Sequence, residues 1–313
     1  MIFGIGAAIT WALDTVILGI ALAAAVFSAS PMAIALASFT STFLHDACSA
    51  LYTLAYLAAR RKLRAAMRTF FSRNGLVVAG AALVGAPLGM TGYVVAIDNI
   101  GPAYTAAISA FFPAWGALLS TVLLKERMKG YQWVGLSVCL VSVAALSWSP
   151  AANVPGDWAI GIAAALACVF GWGTEAVIID WKLRNASIDD ECAMQIREIV
   201  SALTYALIIL PVLGGWSCAL DALRSSAMPF IAMAAFCGTV SYLLYYKAIA
   251  RLGAARAMAL NITYSAWTIP FSLIMLGAMP DLRGVMCALL IIAGAIVAAT
   301  DLPSLLGAPN RHA

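Results

Sequence analysis

The feature that most confines this chain is the length of its apolar runs. Ten stretches, near residues 2–24, 31–58, 74–97, 102–124, 131–149, 158–181, 192–213, 227–249, 254–277 and 284–301, are Ala/Leu-rich and separated by short polar breaks. A helix needs roughly 20 mostly apolar residues to cross the hydrocarbon core of a bilayer, and each run approaches or exceeds that length. The other way to span lipid, a β-barrel, is written as alternating segments of about ten residues, whereas these runs are long and uninterrupted. Composition agrees: 64% of residues are hydrophobic and 10% charged, against about a quarter charged in a soluble globular chain. The sequence predicts an all-α integral membrane protein of ten transmembrane helices and excludes a water-soluble fold.

Asp14 lies in the middle of the first run and no Lys or Arg precedes it, so that run is expected to be a mature helix and not a cleaved signal. With a cytoplasmic N-terminus, the inner loops would carry Arg60, Arg61, Lys62, Arg64, Arg68 and Arg73, then Lys125, Arg127 and Lys129, then Lys182 and Arg184, then Lys247, Arg251 and Arg256. The opposite loops hold only Arg224 and Arg283. The positive-inside rule therefore predicts a multi-pass protein of the plasma (inner) membrane with both termini cytoplasmic. This asymmetry accounts for the net charge of +4 without nucleic-acid binding, and the basic run from Arg60 to Arg73 reads as a loop beside anionic headgroups. The seven cysteines form no C-x-x-C pair and read as small apolar packing residues, with Cys218 turned outward. No cofactor and no metal site is expected, and the sequence leaves the oligomeric state open.

Self-comparison exposes a duplication. Tyr93, Gly101, Ser109, Phe112 and Trp115 recur as Tyr245, Gly253, Asn261, Tyr264 and Trp267 at a constant offset of 152. The same offset relates His45, Asp46 and Ser49-Ala50-Leu51 to Arg197, Glu198 and Ser201-Ala202-Leu203, and Trp11 and Asp14 correspond to Trp172 and Glu175 at an offset of 161. A half with five spans must insert opposite to its copy. The expected organisation is thus a first five-helix repeat over 1–150, a second, inverted one over 151–303, and a short cytoplasmic tail, 304–313. Inverted repeats are a recurrent transporter architecture, with the site near the midplane where the halves meet.

Gly92, Tyr93, Gly101-Pro102-Ala103, Pro113, Leu123-Leu124-Lys125-Glu126-Arg127 and Gly135 resemble the repeat signature of the drug/metabolite transporter superfamily, EamA type. The resemblance covers almost the whole chain. The second copy departs from it at Gly277 and Ala278, which stand in place of Lys125-Glu126. More narrowly, Trp11-Ala12-Leu13-Asp14-Thr15-Val16, Pro87-Leu88-Gly89-Met90-Thr91-Gly92-Tyr93, Gly171-Trp172-Gly173-Thr174-Glu175-Ala176 and Ala259-Leu260-Asn261-Ile262-Thr263-Tyr264-Ser265-Ala266-Trp267 resemble bacterial choline-uptake members. That resemblance implies a quaternary ammonium substrate, an aromatic pocket and uptake.

The residues themselves point the same way. A charge in mid-membrane costs roughly 2.5–3.5 kcal/mol on insertion scales and is seldom kept on the lipid face. Asp14 and Glu175 each follow a Trp by three residues and so share a helix face with it, a carboxylate beside a ring that suits an organic cation. The plainer reading is a buried carboxylate paired with His45 or Arg197. His45, Asp46, Arg197 and Glu198 read as a charge network that locks the repeats together or relays a proton, since unperturbed His titrates near neutrality. Trp11, Trp115, Trp172, Tyr264 and Trp267 are expected to form the cage, with Asn261 sharing the Tyr264 face and Tyr93 and Tyr245 closing the pocket. Aromatic rings attract ammonium groups through their quadrupoles, about 0.5–2 kcal/mol per contact; simple helix packing is the alternative. Trp133, Trp148, Trp158, Trp181 and Trp216 sit near span ends as interfacial anchors. Pro87, Pro113 and Pro270 are either hinges or static kinks.

The implied partners are a small organic cation and the lipid bilayer. An exporter of amino acids, nucleobases or drugs remains open, as do an intramembrane lipid-modifying enzyme using His45 and Asp46 and a channel, although no catalytic motif accompanies that pair.

Overall fold

A computed structural model describes residues 1–126, 128–147, 156–185 and 188–300. Arg127, Trp148, the expected junction at 150/151 and the tail at 304–313 lie outside them. The described chain is helical throughout. Its long rods are α1 (Ile2–Leu22), α2 (Pro31–Ala59), α3 (Arg73–Pro102), α4 (Tyr104–Leu123), α5 (Gly130–Ser147), α6 (Trp158–Asn185), α7 (Asp190–Leu213), α8 (Met228–Leu252), α9 (Ala254–Leu276) and α10 (Leu282–Ala299). Two short surface helices, Leu63–Phe70 and Trp216–Leu223, stand where the sequence suggested loops.

Among the described residues, nine of the rods are long and apolar enough to cross a membrane, all but α2. At 29 residues, α2 has ample length, about 43 Å at 1.5 Å per residue. It falls short in apolarity because Ser41, His45, Ser49 and Thr53, spaced by four, put a polar stripe along one face, and all four are buried. Local chemistry sets several starts. Ser30 accepts from the Ala33 amide with Pro31 in the first turn, Asp189 accepts from the Glu191 and Cys192 amides, and Asp281 accepts from the Gly284 amide. Each satisfies donors that a helix N-terminus leaves without partners.

The packing is reciprocal between halves. The first rod lies along α8 and α9 and α2 along α8 and α7; correspondingly, α6 lies along α3 and α4, and α7 along α3. Two backbone features recur at the sequence offset. Gly101 (φ 78°, ψ 164°) and Gly253 (φ 87°, ψ 160°) turn the chain between α3 and α4 and between α8 and α9, in a conformation open to glycine and strained for other residues. In α4 the helix breaks at Ala110–Phe111, and in α9 at Ile262–Thr263. The fifth rods of each half pack on each other so closely that a Cβ on Gly294 would stand 2.6 Å from the Gly135 carbonyl oxygen, a small-residue contact of the kind that brings membrane helices together.

Pro87 cannot donate to the helix ladder, and the chain widens there into a single π-turn, Val84–Leu88. Trp158, Trp181 and Trp216 are exposed near rod ends, and Trp133 is half-buried. Of the cysteines, five are buried, and Cys48 and Cys218 are half-buried.

Candidate functional site

Two adjoining cavities lie where the halves meet. The larger, about 280 Å³, is lined by Trp11, Asp14, Tyr93, Trp172 and Tyr264 together with His45, Asp46 and Arg197, and it follows α1 past Leu18 and Gly19 to Leu22 at the end of that helix. The smaller, about 40 Å³, shares Trp11, Trp172 and Tyr242 with it and reaches Glu175, Tyr245 and Asn261.

The ring layer between them is built crosswise. Trp11 stacks on Tyr264 from the other half (4.3 Å between centroids, 18° between planes), and its repeat counterpart Trp172 meets Phe112 edge-on (5.7 Å, 90°) and Tyr93 face-on (5.6 Å, 28°). Such pairs present ring faces and edges to whatever lies between the halves.

The charged side chains obey the same crosswise logic. His45 places Nε2 3.2 Å from Asp14 Oδ1 and Nδ1 3.1 Å from Asp46 Oδ1. At the equivalent places Arg197 has Nε 3.4 Å from Glu175 Oε1 and Nη1 2.8 Å from Glu198 Oε1. Arg197 also donates to the Tyr242 hydroxyl at 2.7 Å and lies over that ring, 4.0 Å from its centroid. The Ser201 hydroxyl donates to Asp46 across the halves. The paired-carboxylate reading of Asp14 and Glu175 is therefore what the geometry shows, and both residues still line a cavity. The two acid–base pairs do not lock onto each other at ion-pair distance; each stays on its own side.

Four carboxylates thus share one guanidinium and one imidazole. With His45 protonated, two carboxylates still lack a countercharge unless they hold protons. Space for them comes from glycine: a Cβ on Gly238 would stand 2.9 Å from both Asp14 Oδ2 and His45 Nε2, and one on Gly85, inside the π-turn, would overlap the Glu175 carboxylate. Tyr246 Oη and Asn261 Oδ1 are buried without a hydrogen-bond partner, at about 1–3 kcal/mol for each such group, while Glu175 Oε1 has only its 3.4 Å ion pair with Arg197.

Trp115 and Trp267 line neither cavity. The indole of Trp115 donates to Thr174 Oγ1 at 3.0 Å and packs on Phe170, while Trp267 is half-buried along α9. The shared face expected from three-residue spacing is cut by the breaks at Ala110–Phe111 and Ile262–Thr263, so Asn261 and Tyr264 also face different cavities. Sequence reasoning missed Tyr242 and Tyr246, although their spacing around Tyr245, by three and one, marks an aromatic stripe on α8.

The end that carries the basic loops is closed by charge. Lys62 Nζ donates to Asp189 and Glu191, each at 2.7 Å, the Tyr56 hydroxyl donates to Glu191 at 2.8 Å, and Arg184 bridges Asp180 and Glu126. The first of these ties the α2–α3 connection to the start of α7.

Comparison with known proteins decides the family. The EamA-like transporter family matches residues 1–148 and matches again over 159–300. The chain belongs to the EamA-like transporter family. The double match restates the repeat, and the family is one of secondary membrane transporters and not of catalysts. Protein LicB of Haemophilus influenzae is 32% identical over 192 residues, which cover 60% of this chain and 63% of that protein. A crystal structure of a protein 18% identical superposes with a TM-score of 0.70 over 95% of this chain and 96% of its own, a likeness of fold. Both cavities lie between the two stretches that match the family.

Proposed function

We propose that the protein is a ten-helix, inverted-repeat carrier that takes a small organic cation, choline in particular, into the cell by alternating access. The observation that carries this reading is the excess of carboxylates over cations in the buried charge network that borders the two aromatic-walled cavities between the halves, with Asp14 and Asp46 on the wide cavity and Glu175 on the smaller one. A buried negative excess is costly unless a cation or protons offset it, and rings beside carboxylates suit an ammonium that carries methyl groups in place of N–H donors. Asp14 and Glu175 balance the charge, and Trp11, Tyr93, Trp172 and Tyr264 supply ring faces. Asp46, Glu198, His45 and Arg197 form the charge network that holds the two acids, with His45 its titratable member. In this reading α2 is the tenth span, its polar stripe turned inward, and both termini are cytoplasmic because the basic residues gather at that end of the rods. The wide cavity then opens outward, and a negative-inside potential favours entry of the cation by about 2.3 kcal/mol per charge per 100 mV.

A zwitterion carrier would need a free positive group. Arg197 reaches the cavity, but its guanidinium is occupied by Glu198, Glu175 and Tyr242, which favours the cation.

Labelled choline uptake into proteoliposomes under an inside-negative potential tests this. Uptake that saturates, is suppressed by excess unlabelled choline, and falls at least about tenfold in Asp14→Asn and Trp11→Ala is the expected result. Folded protein that moves amino acids or nucleobases and not choline would overturn the cation reading and leave the family standing.

A further inference from the structure

We infer that the cation is held at two stations in sequence, and that the second is the smaller cavity, an inner cage built from Glu175, Asn261 and the three tyrosines Tyr242, Tyr245 and Tyr246. The inference rests on the cation reading above and adds where the cargo goes after it leaves the wide cavity.

The three tyrosine rings stand in an edge-to-face triangle, with centroids 6.3–6.4 Å apart and planes at 68–70°. They come from one face of α8, spaced as a helix spaces neighbours. Of the polar atoms in residues on this cavity, Glu175 Oε1 has only its 3.4 Å ion pair with Arg197 Nε, and Tyr246 Oη and Asn261 Oδ1 have no hydrogen-bond partner. Their residues are 8%, 2% and 3% exposed. A carboxylate oxygen, a carbonyl oxygen and a hydroxyl among ring faces match a cation that also carries a hydroxyl group. An anion would meet acceptors where it needs donors.

Position fits a second station. The inner cage shares Trp11, Trp172 and Tyr242 with the wide cavity, so the ring layer is the partition between them. Ile179 and Ile249, about one turn further along α6 and α8 towards the ends with basic loops, form its floor. The repeat supplies the exchange of roles, since Glu175 and Tyr245 are the counterparts of Asp14 and Tyr93, which line the wide cavity. At about 40 Å³ against about 280 Å³, the inner cage is contracted while the outer one is open, as a pair of stations serving opposite faces requires. The cage is also richer than its counterpart: Tyr242 and Tyr246 stand where the first repeat has Met90 and Val94.

Choline exchange across proteoliposomes of uniform orientation tests the second station, with the half-saturating concentration measured separately for each face while the other face is saturated. In Tyr246→Leu and Asn261→Ala, half-saturation at the basic-loop face should rise about tenfold while that at the opposite face moves by less than about twofold. Tyr246→Phe, which keeps the ring, should show a smaller rise at the same face. A residue that only supports packing would slow exchange and leave both values together, and that outcome overturns the second station. Wild-type protein that exchanges no choline would instead overturn the cation reading, and the station with it.

Discussion

At the scale of the residue, the acids of the site exist by permission of glycine. A methyl group at Gly238 meets Asp14 and His45, and one at Gly85 meets Glu175, whereas a Cβ on Gly80, one turn earlier in α3, meets nothing within 4 Å. Overpacking of this kind costs about 1–3 kcal/mol, and here it falls on side chains that line the two cavities. We expect Gly85→Ala and Gly238→Ala each to lower choline uptake about tenfold or more, and Gly80→Ala to leave it unchanged, measured beside thermal unfolding of each variant. Asp14, Glu175, His45 and Arg197 were legible in the sequence because charge inside an apolar run announces itself. The pairing of Asp14 with His45 was legible only as one of several choices. The glycine clearances were not legible, because nothing in a sequence tells which neighbouring helix approaches a missing Cβ. Asn261 and Tyr264 show the converse error: three-residue spacing promises a common face only while the helix continues, and α9 breaks between them, whereas Trp115 and Trp267 miss the cavities although no break parts them from Phe112 and Tyr264.

At the scale of the element, nine of the rods were readable among the described residues from apolar length, and the clasp at their basic end was not. Lys62 and Asp189 are separated by 127 residues, and no spacing rule joins them. Hydrogen bonds to Asp189 and Glu191 hold the Lys62 ammonium above its ordinary 10.5. Burial would raise the Asp189 carboxyl, but Lys62 and the helix-start amides outweigh it and leave the group below its ordinary 3.8. A depressed carboxylate contributes above its ordinary value and loses that contribution as pH falls through the lowered one; a raised ammonium loses its contribution only as pH rises through the raised value. The clasp is therefore intact across the neutral range and opens in strong acid. Breaking a fully buried ion pair costs about 3–5 kcal/mol. The Lys62 side chain is 29% exposed, so about 1–2 kcal/mol is expected here. Lys62→Ala should shift the carrier towards opening at the basic end. In a protein whose seven cysteines are replaced by alanine, Ala176→Cys in the inner cage should then react with a small thiol reagent about tenfold faster than with Lys62 in place. An unchanged rate would mean that the clasp does not govern that opening.

For the whole molecule, one offset in the sequence foretold most of the arrangement. Residues 152 apart carry matching glycine turns, matching helix breaks and the matching pairs His45–Asp46 and Arg197–Glu198, and the rods pack in reciprocal sets. The offset does not give the cleft. Which end stands open depends on how the halves tilt, and tilt is set by contacts between residues far apart in sequence, which an offset does not encode. Direction therefore rests on joining two independent facts: the wide cavity runs towards Leu22, and the basic residues gather at the opposite ends of the rods. Arg224, exposed in the connection between α7 and α8, and Arg64, exposed on the short helix after α2, mark the two faces. With the native cysteines replaced, Arg224→Cys should be labelled in intact cells by a membrane-impermeant maleimide, and Arg64→Cys only after lysis. The reverse pattern would place the open cavity on the cytoplasmic face. The same potential that assists cation entry would then oppose departure through that cavity, and the carrier would have to be read as one that loads its cargo from within.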